Sequence, residues 1–267
     1  MMPIRARAAT LVAWPGKPPD PVGWTDADRP IRIGAAGGAS DLAPDHTMAA
    51  FAAAAEMGLE LVVATVRASA DGVAVLMRDA TVDRTTPQRG RVSDHLAVAL
   101  ATLDAGSWFG DQFGSQRVPS LDRFACGIEA HGRLGALLDI GDPRTLEAAV
   151  TRLQTSPSPW LFAIRSASSA VIDRAHDRLP GTATFRSLTG LELADPVAAA
   201  GACRAAGIAA SAGEIGAAAI ARARSAGLMV VVDGIADVAT LHRIRAAGVS
   251  LAIVDRPYGI MREGGTA

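Results

Sequence analysis

From Ile31 onward, short runs of consecutive apolar residues alternate with longer stretches in which apolar positions recur every three or four residues. The first pattern fits strands buried on both faces, and the second fits helices with one face turned inward. "IRIGAA" reads as a strand. "TMAAFAAAAEMG" reads as a helix with Met48, Phe51, Ala52 and Ala55 on one face and Gly58 as its stop. "ELVVATV" and "VAVLM" are two further buried strands. The segment 83–120 then breaks the rhythm. It is loop-rich, holds one helix near Asp94 to Thr102, and is longer than an ordinary crossover.

Alternation returns with the strand "LGALLDI". Asp142-Pro143 starts a helix, with proline at its first position and Leu146, Val150 and Leu153 inward. "WLFAI" and "TATF" are strands, each followed by a helical stretch. A helix from Glu214 ends at Gly227, "LMVVV" is a strand, a helix from Asp237 ends at Gly248, and "SLAIVD" is the final strand. Eight strands are clear, and "GIAAS" at 207–211 is a ninth candidate. This alternation predicts a TIM-type (β/α)₈ barrel with an insertion after the third strand, at about residues 83–120. A doubly wound open sheet is the alternative, less suited to so many units. Residues 1–30 lack periodicity and read as an irregular leader that packs on the barrel or trails from it; 31–258 form the barrel and 259–267 a C-terminal tail.

Composition narrows the function. The 267 residues are 49% hydrophobic and 20% charged, which suits one large domain or two small ones. A net charge of −1 and 4% aromatic residues give no case for binding nucleic acid or anionic membranes. No apolar run reaches the ~18 residues that suggest a membrane span. Cys126 and Cys203 lie far apart without metal or disulfide spacing, and no cleavage site follows "AATLVAW", so the expected location is cytoplasmic. Of 26 basic residues only Lys17 is a lysine, and it sits in the leader, so chemistry that needs a core lysine is disfavoured. There is no GxSxG elbow, HExxH helix or Walker loop, and "GAAGGAS" lacks the spacing of a dinucleotide loop.

Five stretches together carry a more specific signal: "LAPDHTMAAF" at 42–51, "DGVAVLMRDATVDRTT" at 71–86, "LDAGSWFG" at 103–110, "RVPSLD" at 117–122 and "GVSLAIVDRP" at 248–257. In this order and spacing, over about residues 31–258, the chain resembles the glycerophosphodiester phosphodiesterase family. The resemblance implies a TIM barrel of lipid metabolism that cleaves glycerophosphodiesters to glycerol phosphate and an alcohol. Family members use a divalent metal, paired histidines and carboxylates at the barrel mouth.

Against that pattern the chemical positions differ. The family's His-Arg-Gly reads Ala36-Gly37-Gly38, and its Pro-Glu-Asn-Thr reads Pro44-Asp45-His46-Thr47. Its Glu-Leu-Asp reads Val63-Ala64-Thr65, its His-Asp reads Arg78-Asp79, and its Glu-Ile-Lys reads Asp139-Ile140-Gly141. A late Trp-Thr-Val-Asn reads Asp233-Gly234-Ile235-Ala236. The surviving motifs have turn and packing roles, whereas Ala36, Gly37, Val63, Thr65, Arg78 and Gly141 stand where the resemblance expects chemistry.

The expectation from sequence is therefore a pseudoenzyme: a barrel that has lost metal-dependent activity and serves binding or regulation, with no catalytic residue and no metal or other cofactor. Asp139 is then the only surviving metal ligand. Arg78, Asp45, His46, Asp139 and Asp233 are the candidate ligand-binding residues, for a phosphorylated small molecule or a protein partner. Two alternatives stand beside it. One is a phosphodiesterase with a rebuilt site, using Mg or Ca, which predicts that these polar side chains converge. The other is a structural subunit or homodimer. Arg78 is expected either to grip an anion or to pair with Asp79, Asp139 or another mouth carboxylate, and Arg165 and Ser166 carry the same two readings. Asp139 is expected to be satisfied by a backbone or arginine partner. His46, at a helix start, is expected to cap the helix or face solvent and to diverge from Asp45. His95, His131, His176 and His242 fall away from the mouth.

Overall fold

A computed structural model describes residues 22–26 and 30–264. Nine strands run in chain order as β1 (Arg32–Ala36), β2 (Leu61–Ala68), β3 (Ala74–Leu76), β4 (Gly135–Ile140), β5 (Phe162–Ser166), β6 (Ala183–Ser187), β7 (Gly207–Ser211), β8 (Met229–Ile235) and β9 (Leu251–Val254). All except β3 are parallel to their neighbours, and β1 pairs with both β9 and β2, which closes an eight-stranded barrel. This is the (β/α)₈ architecture that the alternation predicts. Gly34 sits at the closure, where an added Cβ would lie 2.6 Å from Leu61 Cγ and 3.0 Å from Ile253 Cδ1. A side chain there would collide with both neighbouring strands.

The structure reassigns two strands. "VAVLM" supplies β3, which pairs antiparallel with the end of β2 through Val66↔Leu76 and is a hairpin rather than a barrel stave. "GIAAS" is β7 and completes the eight. An apolar run reports burial but not strand direction; here Gly72 (φ +77°) turns the chain back on itself.

Helices pack outside, led by α1 (Met48–Glu56). Thr47 caps it by accepting from Ala50 N. Its buried face is Ala50, Phe51 and Ala54 rather than the predicted Met48, Phe51, Ala52 and Ala55 set, and Ala52 is exposed. A helix of alanines has little amphipathic contrast, so the packing of Phe51 against Phe124, with ring centroids 4.5 Å apart, fixes its rotation. In the insertion the helix shrinks to α2 (Ala97–Leu100), and the loop holds its own small core of Val75, Met77, Val82, Val92, Leu100, Ala105 and Val118. After α3 (Leu121–His131), α4 (Pro143–Gln154) starts where predicted. Asp142 accepts from Thr145 N, and Leu146, Val150 and Leu153 are buried. Next come α5 (Ser169–Arg178), α6 (Pro196–Gly201), α7 (Ala217–Ser225) and α8 (Val238–Ala246). The last helix, α9 (Pro257–Gly264), runs through the expected barrel-to-tail boundary.

Of the leader, Val22 and Trp24 are buried against the N-terminal ends of the strands. Trp24 Nε1 donates to Trp160 O at 3.0 Å, and its ring stands edge-on to Phe185. Most of the leader, including Lys17, lies outside the described residues. Among the described residues no helix is long and apolar enough to cross a membrane.

Candidate active site at the barrel mouth

Strand register stacks chemistry at one end of the barrel. Thr65 pairs with Asp139 and Asp139 with Arg165, while Asp233 pairs with Ser211 near the end of β8. These are the C-terminal strand ends, where barrels of this kind assemble their sites.

The loop after β1 turns on Gly37 (φ +70°) and Gly38 (φ +88°), and is tied down by Gly37 N donating to Val63 O at 2.8 Å and His46 N to Gly37 O at 2.9 Å. His46 itself has φ +58°. That left-handed backbone turns its ring inward, where Nε2 accepts from Thr65 N at 3.0 Å. An accepting Nε2 leaves the proton of the neutral ring on Nδ1, which lies 3.4 Å from Asp45 Oδ2. A Cβ on Gly37 would fall 2.7 Å from His46 Nδ1, so the imidazole fills the space in front of Gly37. The expectation that His46 caps the helix or faces solvent does not hold: Thr47 caps, and His46 is buried facing Asp45. With Nε2 occupied by a backbone donor, His46 orders the loop.

Arg84 grips buried Asp45 through two bonds, Nη1 to Oδ1 at 3.2 Å and Nη2 to Oδ2 at 2.9 Å, and its Nε reaches Asp79 Oδ2 at 2.5 Å. Its guanidinium lies 5.7 Å over the Trp108 ring. Burial alone would raise the pKa of Asp45, but hydrogen bonds from His46 and Arg84 and the charge of Arg84 outweigh it and hold the carboxyl well below the usual range. Asp45 stays ionised.

On the barrel axis, Arg165 Nη2 donates to Asp139 Oδ2 at 3.1 Å and Nη1 to Asp233 Oδ2 at 2.8 Å. Burial opposes the guanidinium charge, yet the two carboxylates prevail and its pKa is raised. Asp139 thus has the arginine partner expected of it. Ser166 is buried and accepts from Ser168 N at 3.0 Å, shaping the loop after β5.

Arg78 is exposed, and among the described residues it forms no ion pair. The expected bridges to Asp79 and Asp139 are absent because Arg84 and Arg165 have taken those carboxylates. The charge of Arg78 instead acts on Asp255, which follows β9. Burial raises the Asp255 carboxyl, Asp233 adds to the rise, and Arg78 offsets it in part. Ser40 Oγ donates to the Asp255 carbonyl at 2.6 Å and binds the β1 loop to this strand end.

The five candidates therefore divide into an Asp45–His46 pair, an Asp139–Asp233 pair and Arg78 on its own. Sequence reasoning missed Arg84 and Asp255. Arg84 was hidden in "DRTT", a motif with a sufficient turn explanation. Asp255 directly follows an apolar strand, and that position is itself a signal for the mouth. The other histidines lie elsewhere: His95 in the insertion, His131 at the end of α3, His176 on α5 and His242 on α8.

The donor set does not fit a divalent ion in the geometry the resemblance implies. Val63 is buried and apolar, Thr65 brings a neutral hydroxyl, Ala36 and Gly141 bring no side-chain donor, and Asp139 and Asp233 each spend an oxygen on Arg165. Among the described residues no cluster of three or more His, Cys, Asp or Glu is placed to hold a metal.

The sequence profile of the glycerophosphoryl diester phosphodiesterase family matches residues 37–258. A glycerophosphodiester phosphodiesterase of Bacillus subtilis is 26% identical over 181 residues, 61% of each chain. Matched segments cover 42%, 35% and 61% of the first three curated relatives, so the chain spans less than two thirds of their length. The structure is similar to a glycerophosphodiester phosphodiesterase of Agrobacterium tumefaciens, with TM-score 0.72, 28% identity and coverage of 85% of this chain and 97% of that one. It shares its fold with an Oleispira antarctica phosphodiesterase in complex with the product sn-glycerol-3-phosphate, with TM-score 0.80, 24% identity and coverage of 86% and 95%. These matches overturn the expectation of an inert binding or regulatory barrel: the relatives are phosphodiesterases, and the findings favour a working enzyme with a rebuilt site.

Proposed function

The chain belongs to the glycerophosphoryl diester phosphodiesterase family, and on that premise we propose that it is a phosphodiesterase with an atypical mouth, acting on glycerophosphodiesters or related phosphate esters. The observation that carries this reading is the placement of Arg78, exposed and without an ion pair among the described residues, at the mouth near enough for its charge to act on Asp255, a half-buried carboxyl at the end of β9. A phosphodiester is an anion that gains charge on attack, and a planar guanidinium binds its oxygens as a fork. Hydrolysis also needs a proton for the departing alkoxide. Water adds its hydroxyl to phosphorus as the ester P–O bond breaks. The alkoxide takes the Asp255 proton, and the proton released from water restores that carboxyl. The Asp45–Arg84–Asp79 network and His46 hold the loop that flanks the reacting groups. A cytoplasmic location goes with this reading, supported by the free thiols of Cys126 and Cys203.

The test is to incubate the full chain with glycerophosphocholine, glycerophosphoethanolamine and glycerophosphoglycerol and to follow glycerol phosphate by phosphorus NMR. The expected result is release of glycerol phosphate that Asp255→Asn suppresses. Absence of release from all three diesters, with no thermal shift by sn-glycerol 3-phosphate, would sink the proposal.

A further inference from the structure

The misfit between the mouth and a divalent ion has a specific cause. Arg165 lies between the carboxylates of Asp139 on β4 and Asp233 on β8, bonded to one oxygen of each at 3.1 and 2.8 Å. Its side chain is only 11% exposed. Facing carboxylates at a strand-end mouth are what a hard cation seeks, and here a guanidinium holds both. It stays charged at any pH the fold survives, so no change of pH releases the pair. Among the described residues Nε of Arg165 is buried with no hydrogen-bond partner, so the two Nη contacts hold the group there. For an ion to enter, Arg165 would have to leave and expose two like charges to each other.

We infer that Arg165 is a built-in cation occupying the place between Asp139 and Asp233, so that the mouth neither takes nor needs a divalent metal. The claim about turnover rests on the phosphodiesterase reading; the claim about ion binding does not. Removing the guanidinium should uncover a site for a divalent ion.

The experiment compares wild type, Arg165→Ala and Arg165→Lys in EDTA and in millimolar calcium or magnesium, by thermal unfolding and by terbium luminescence. Wild type and Arg165→Lys should move by less than about 1 °C, whereas calcium should raise the Arg165→Ala midpoint by about 3 °C through mass action. Saturable ion binding by wild type overturns the inference. So does a folded Arg165→Ala that binds no ion. If Arg165→Ala does not fold, the wild-type and Arg165→Lys titrations decide. Turnover should persist in EDTA, and turnover lost in EDTA and restored by magnesium refutes the inference while leaving the phosphodiesterase reading intact. Absence of turnover in both conditions refutes that reading alone and leaves the ion measurement standing.

Discussion

Replacing Asp45 by asparagine removes one charge from a buried carboxyl that meets Arg84 through two hydrogen bonds and faces His46 at 3.4 Å. Charge-assisted hydrogen bonds contribute roughly 1.5–3 kcal/mol each. The loss is discounted because the Arg84 side chain is 43% exposed and can turn to water while keeping Asp79. The expected cost of Asp45→Asn near neutral pH is therefore about 2 kcal/mol. The pH dependence is more diagnostic. Asp45 has a folded pKa held below its unfolded value, so its stabilisation is complete above the unfolded pKa and is lost as pH falls below it. One proton per pH unit corresponds to about 1.4 kcal/mol, so between about pH 4 and about pH 3 the wild type should lose up to about that much more stability than the variant. Urea titrations followed by circular dichroism at those pH values and near neutrality measure both effects. A neutral-pH difference under about 0.5 kcal/mol, or two stability curves that run parallel into acid, would refute the account of a buried, ionised anchor.

Restoring the family's arginine by Gly37→Arg should destabilise by about 2 kcal/mol or more, from the positive φ and the collision with the His46 ring, and His46→Asn in the same chain should recover part of that loss in a urea titration. Arg78→Ala should raise KM about tenfold while changing unfolding free energy by less than about 0.5 kcal/mol, because the side chain is exposed and forms no ion pair among the described residues. Asp255→Asn should lower kcat by about 10²–10⁴ with thermal stability kept. In the wild type, rate should fall on the alkaline side as Asp255 loses its proton, at a pH above that of a free aspartate because burial raises that pKa. A flat alkaline limb, or an equal limb in the variant, would remove Asp255 from the reaction.

Much of this molecule was readable from its residues. The alternation of apolar runs and amphipathic stretches suffices for the barrel, and Asp142-Pro143 for the start of α4, because burial and capping act over a few neighbouring positions. Strand direction was not readable: β3 is as apolar as a barrel stave, and its antiparallel pairing depends on a turn at Gly72. The rotation of α1 was not readable either, since alanine on every face leaves the choice to Phe51 and its contact with Phe124.

At the mouth the division follows the same physics. The sequence by itself determined which chemical groups exist: an imidazole at 46, arginine at 78, small residues at 36 and 37, and carboxylates at 45, 139 and 233. Only the tertiary structure decided which of them are engaged. Arg84 lies 39 positions from Asp45, and Arg165 lies 26 and 68 positions from its two carboxylates. Those partners meet only because barrel closure brings distant strand ends together. Electrostatic pairing falls off over a few ångströms and is indifferent to chain separation, so among the described residues it is Arg84 and Arg165, and not Arg78, that come to rest on the mouth carboxylates.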